Sequence, residues 1–419
     1  MADSGRAARP LRVLVSEGNS TSAREAITIL GLSGHRVEVC DPSLFCLARF
    51  SRFVRKFYRC PGLRDDPAGF LAFVERLLAT QHFDVLLPIH EQGFLFARVQ
   101  QRLADRVGLA LPSFASYRSV HSKAGFSRLL DELGLAQPAT RIPGSEDELR
   151  AAIEFPCVVK TSVGTASRGI WFVRNDRDLA DTLRDLRACS AFADEVLVQE
   201  FVTGTTEKAQ AVFYRGELLG FHACRQIAAG VGGGEAIKQS VSRPQLHGLL
   251  AAIGAKLAWH GALSVDYILP DDDGATPLLI DCNPRLVEPM SAYLAGLDLV
   301  GPLLRISLGE TPAAGGEGRA GVRTHLAMQA LLGCASRGGT RRELLRECRR
   351  LLAGSGPYAG STEELTPVRL DWISAVPLAM LTVALLAAPK LAVTLARSGW
   401  GEHLLDPASI RLIESEDFR

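Results

Sequence analysis

The sequence predicts a mixed α/β and α+β protein in three parts: an open parallel α/β domain, a two-lobed domain rich in hairpins, and a mainly helical C-terminal region. Three observations predict it. The stretch "LRVLVSEGNSTSAREAITILGLSGHRVEVCD" reads as strand, polar loop, amphipathic helix, Gly turn and strand. A parallel pair joined in this way needs a right-handed crossover. Two later segments carry hairpin signals, one around Arg215-Gly216 and one around the acidic turn of "SVDYILPDDDGATPLLIDCN". Beyond residue 315 the pattern turns helical with basic faces, as in "GGTRRELLRECRRLLAGSG". A chain of 419 residues should hold two or three domains, since single cores stop growing well below that size. The expected divisions are 1–112, 113–310 (lobes about 113–198 and 199–310) and 311–419.

Composition excludes several classes. The formal net charge of +1 carries no basic footprint for nucleic acid. Nine scattered cysteines, odd in number and without a C-x-x-C pair, fit a reduced compartment better than a disulfide framework. No signal peptide is visible at the N-terminus, so a cytoplasmic location is expected. The apolar segment 372–396 is the exception to an ordinary globular pattern. Its run 372–388 is about the shortest that could span a bilayer, and Pro377, Pro389 and Lys390 interrupt or end it. It reads as a buried helix pair, with an interfacial anchoring helix as the alternative.

In the first part, a helix over "PAGFLAFVERLLATQ" leads to the strand "FDVLLPI", with His90 and Glu91 just past its end. Ligands of such sheets sit beyond the carboxyl ends of the strands. The loop 16–22 and the pair His90/Glu91 therefore either line a substrate pocket or do ordinary helix capping. The first βα turn has no G-x-G-x-x-G, so a nicotinamide cofactor is not supported. No G-x-x-x-x-G-K-[ST] occurs, which excludes a P-loop, and no G-x-S-x-G elbow points to a hydrolase.

The second part carries an ordered series of polar residues. Lys123 opens the helix "SKAGFSRLLDELGL", which Gly134 closes. Lys160 ends the strand "FPCVVKT" and precedes a loop containing Gly164, Ser167 and Gly169. The strand "DEVLVQEFV" ends at Glu200-Phe201-Val202, before Gly204 and Glu207. Asp266 lies in one strand of the second hairpin, and Asp281 and Asn283 lie in the other. Lysines suit phosphate oxygens as point charges. A glycine loop lets backbone N–H groups close over phosphates. Asp281 and Asn283, two apart on a strand, share a face that Asp266 can reach, and magnesium is commonly held by one or two carboxylates plus phosphates. The aspartates at 271–273 read instead as solvated turn residues.

These segments, above all "GALSVDYILPDDDGATPLLIDCNPR", "FPCVVKTSVGTASRGI" and "VLVQEFVTGTTEKAQ", resemble the ATP-grasp superfamily over about residues 10–310. That superfamily includes D-alanine–D-alanine ligase, biotin carboxylase and many carboxylate–amine ligases. The resemblance implies ATP and magnesium, with manganese as the alternative metal. By position it implies Lys123 and Lys160 on the ATP phosphates, with Gly164, Ser167 and Gly169 in a lid formed by the loop 162–169. It gives Glu200, Phe201 and Val202 to the adenine hinge and Glu207 to the ribose. Asp266, Asp281 and Asn283 become the metal ligands, and Arg285 holds the transferred phosphate or the substrate carboxylate. Arg225 and Lys238 fall where further phosphate or substrate cations occur, and Glu288 resembles an acid of the biotin carboxylases. Two departures stand out: Asp281 replaces the more usual Glu, and Thr161 replaces a frequent Pro. The implied activity joins a small carboxylate, activated as an acylphosphate, to an amine. An ATP-dependent carboxylase and a non-catalytic, membrane-associated nucleotide-binding protein are the alternatives. Substrate identity is assigned to the first domain and to the loop 228–240, and a helical cap or dimerising role is typical for 311–419.

Overall fold

A computed structural model describes residues 9–164, 169–271, 274–398 and 404–415. Ser167 and most of the acidic turn at 271–273 lie outside the described residues. The first sheet has four strands in the order Val54–Arg59, Arg36–Asp41, Arg12–Val15, Val85–Leu87, all parallel. The apolar strand centres Val13, Leu14, Val37 and Val39 are fully buried, as both faces of a parallel sheet require. The crossover helix Thr21–Leu32 starts where Ser20 accepts the Ala23 N–H at 3.0 Å, and its first turn faces the carboxyl ends of the strands. The edge strand Val54–Arg59, "VRKFYR", escapes a reading based on apolar alternation because three of its residues are cations.

The second part is two antiparallel layers. The smaller sheet runs Thr140–Arg141, Val196–Glu200, Cys157–Thr161, Ile170–Val173. The larger sheet is built on the long hairpin Gly204–Tyr214 and Glu217–Ala229, turned at Arg215 and Gly216, which both have positive φ. Gly261–Pro270 and Leu278–Asn283 extend it on one side, and Glu235–Val241 extends it on the other. The segment 228–240 is thus mostly strand rather than loop. Its glycines make the tight turn between two strands, with Gly232 and Gly233 at φ +60° and +76°.

The C-terminal region is helical, but Arg323–His325 and Ser361–Glu363 also add two strands to the larger sheet. The apolar segment is a short 3-10 turn, Trp372–Ser374, then two helices, Ala375–Ala387 and Leu391–Ser398, broken at Pro389. Among the described residues no helix is long and apolar enough to cross a membrane. Asp371 anchors this region to the first domain. It accepts from Arg24 Nη2 at 2.7 Å and from Ser51 Oγ at 2.6 Å, and all three residues are buried. The helix Pro407–Ser415 packs back on the first domain through Leu405 and Ile413.

Candidate active site

A cleft of about 790 Å³ lies where the layers meet, lined from the first domain, both sheets and the C-terminal region. Strand parity decides which side chains enter it. Asp266 is paired in register with Asp281 on one side and with Lys208 on the other, so these three share the cleft face. Burial pushes the Asp266 carboxyl up to about 6; Lys208 opposes the rise and Asp281 adds to it. Asn283, two residues beyond Asp281, lines the same face. Two carboxylates and an amide, all oxygen donors, suit magnesium, which keeps waters and phosphate oxygens in its shell. Among the described residues no group of three or more His, Cys, Asp or Glu could hold a metal ion.

The cations come from separate elements. Lys123, first residue of the helix Lys123–Leu133, donates to the Gly164 carbonyl at 2.6 Å and lies 3.6 Å from Asp281. Lys160 is 5% exposed and donates to Gln199 Oε1 at 2.7 Å. Burial lowers its pKa to about 8, with Asp281 opposing the shift and Lys123 adding to it. Arg285 is also buried, and its Nε has no hydrogen-bond partner among the described residues. Phe172 and Phe201 meet edge to face at 6.2 Å and, with Val158 and Ile170, form an apolar wall ending at Glu200 and Val202. Gly164 lines the cleft and Gly169 does not; residues 165–168 between them, and with them most of the expected lid, lie outside the described residues. At Gly169, φ is +73° and a Cβ would sit 2.1 Å from Thr161 Oγ1, so glycine is needed there.

Three assignments made from sequence fall elsewhere. Glu207 does not line the cleft. Its register partner Tyr267 places it on the opposite face, where it accepts from Arg243 at 2.7 and 2.6 Å and from Tyr267 at 2.8 Å. Arg225 pairs in register with Glu207 and shares that outer face, exposed to solvent. Lys238 is buried, does not line the cleft, and is ion-paired to Glu288 and, at 2.9 Å, to Glu364 of the C-terminal region. Burial works against its charge, but Glu288, Glu364 and Glu25 outweigh that and hold it protonated. Glu288 does line the cleft, in a left-handed backbone conformation (φ +56°), with its N–H on Ser22 Oγ at 3.1 Å.

The first-domain residues Ser20, Thr21, Ser22, His90 and Glu91 reach the cleft as well. Sequence reasoning missed Lys208, Glu235, Gln199 and His121. Lys208 pairs with Glu235 at 2.7 Å, and the alternation Thr206, Lys208, Gln210 was a usable signal once Asp266 had been assigned to the inner face. His121 is held neutral, pushed down to about 3 by burial and then by Arg285 and Lys123.

Comparison with known proteins agrees with this architecture. Residues 120–289 match the family model of the ATP-grasp domain. The carbamoyl phosphate synthase large chain of Pyrococcus furiosus is 30% identical over 247 residues, which are 54% of this chain and 22% of that protein. The chain therefore spans less than a quarter of that relative's length. Among solved structures, an ADP complex of N5-carboxyaminoimidazole ribonucleotide synthetase aligns with a TM-score of 0.60 at 16% identity, covering 90% of this chain and 97% of that one. L-amino acid ligase from Bacillus licheniformis aligns at 0.57 and 16% identity, covering 72% and 75%. At such identities the likeness is one of fold. The chain carries an ATP-grasp domain, set between a parallel α/β domain and a helical C-terminal region.

Proposed function

We propose that the chain is a magnesium- and ATP-dependent ligase that activates a small carboxylate, best sought among amino acids, as an acylphosphate and joins it to an amine. One observation carries this reading: three buried cations, Lys123, Lys160 and Arg285, line the same cleft as the Asp266–Asp281 pair, with Lys123 only 3.6 Å from Asp281. Buried cations gain most from a polyanion that replaces the water they have lost.

In this reading the apolar wall at Phe172 and Phe201 takes the adenine, and Glu200 and the Val202 backbone read its edge. Lys123 and Lys160 hold phosphate oxygens. Magnesium, held by Asp266, Asp281 and Asn283, would neutralise the phosphate charge. A substrate carboxylate oxygen attacks the γ-phosphorus in line while the bond to ADP breaks, and Arg285 offsets the charge on the transferring group. The amine then attacks the acyl carbon, phosphate leaves, and the amine gives up a proton. The loop around Gly164 and Gly169 excludes water, which would otherwise hydrolyse the acylphosphate. Ser20 to Ser22, His90 and Glu91 form the substrate end. Such a protein would act on small molecules in the cytoplasm.

Glu288, which lines the cleft and is ion-paired to the buried Lys238, favours a second reading, an ATP-dependent carboxylase working through carboxyphosphate. Release of ADP by the purified chain with Mg-ATP, measured across amino acids and small carboxylates with and without an added amine, tests the first. Release that needs bicarbonate instead would establish the second. Asp281→Ala should abolish magnesium-dependent turnover in a folded protein, and unchanged turnover in that variant would remove the metal assignment.

A further inference from the structure

Two unusual surface features meet where the first domain joins the C-terminal region. Between residues 42 and 64 the sequence holds Arg49, Arg52, Arg55, Lys56, Arg59 and Arg64 and no acid, in a chain whose net charge is only +1. The first five are exposed on and beside the edge strand Val54–Arg59, and none forms an ion pair among the described residues. Cations on an edge strand discourage sheet-to-sheet pairing, but that purpose needs one or two. Arg49 lies over the Phe57 ring at 5.0 Å, which holds that cation against the surface; Lys56, over Tyr58 at 4.7 Å, lies on the other face of the strand.

The apolar segment packs beside this strand. The helix Ala375–Ala387 and the turn Trp372–Ser374 both contact the short helix Leu47–Phe50 that precedes it. The Arg52 N–H donates to Asp371 at 3.1 Å, so exposed Arg52 and Trp372 stand on the same part of the surface. Residues 372–389 hold no charged side chain, yet Trp372, Met380 and Val383 are 68%, 59% and 67% exposed, and Phe45 is 80% exposed. A helix apolar on all sides is normally covered by protein or by lipid. Here a wet apolar face borders unpaired cations, and the buried Arg24–Asp371 pair pins the junction.

We propose that this face docks on an anionic lipid bilayer. Trp372, Met380 and Val383 enter the headgroup boundary, and Arg49, Arg52 and Arg55 meet lipid phosphates. The contact lies in the membrane plane. A second copy of the chain is the poorer occupant, because it would bring the same cations to the same face.

The test is flotation of the full chain with phosphatidylcholine vesicles and with vesicles enriched in phosphatidylglycerol. Binding is expected to the anionic vesicles only and to fall as salt is raised. Changing Arg52 and Arg55 to Gln should weaken it about fivefold per cation removed. Trp372→Ser with Met380→Ser should weaken it at least as much, while melting temperature and ADP affinity stay unchanged in both variants. Absence of binding to either vesicle overturns the proposal, as does equal binding to both that the Gln variant leaves intact. A concentration-dependent dimer in light scattering, abolished by Trp372→Ser and unaffected by anionic vesicles, would overturn it in favour of self-association.

Discussion

Replacing Lys160 by Met should separate stability from nucleotide binding in this fold. Burial lowers the lysine from its ordinary 10.5 to about 8, so keeping it charged in the folded chain costs roughly 3 kcal/mol at neutral pH. The sign follows from proton counting. Between pH 8 and 10.5 the unfolded chain binds the proton more tightly, so this group makes stability rise with pH across that window. Below it the cost is present in full, and above it the cost is gone. Methionine removes the cost but leaves Gln199 Oε1 without its 2.7 Å donor, a loss of about 1–2 kcal/mol. The variant should therefore be more stable than the parent by about 1–2 kcal/mol in urea unfolding at pH 7, with the difference shrinking towards pH 10. Its affinity for Mg-ADP by calorimetry should fall about 10- to 100-fold, the worth of one charge-assisted hydrogen bond. A variant less stable at pH 7 that binds ADP normally would refute the reasoning, because Lys160 would then be a structural cation tying Gln199 to the sheet.

Asp371→Ala leaves Arg24 charged and buried with no carboxylate, and should cost about 3–5 kcal/mol in urea unfolding. The double change Arg24→Met with Asp371→Leu should recover most of that loss. Glu207→Gln should lower stability by about 1–3 kcal/mol through its bonds to Arg243 and Tyr267 while leaving ADP affinity unchanged; weakened ADP binding without lost stability would return it to the nucleotide site. Gly169→Ala forces a left-handed backbone and a clash with Thr161, so it should slow turnover and weaken nucleotide binding while global unfolding moves by about 1–2 kcal/mol. Turnover equal to the parent's would remove that loop from the mechanism.

Local physics explains what was legible in the chain. Gly134 ends the helix that begins at Lys123, with φ +62°, as a C-terminal glycine should. Arg215-Gly216 turns its hairpin, and the period of two puts Asp281 and Asn283 on one face whatever surrounds them. These features depend on neighbours a few residues apart, so local sequence is enough to set the parallel opening, the two hairpins and the order of the polar series.

Register and docking were decided only in three dimensions. Period two says that Glu207 and Lys208 face opposite ways but not which faces in; pairing of Lys208 with Asp266 settled it and sent Glu207 and Arg225 outward. No local pattern announces that Glu364 will reach Lys238, or that Asp371 will reach Arg24 across 347 residues of chain. Those contacts exist because a charge removed from water must find a partner wherever packing can supply one, and only the folded chain determines where that is.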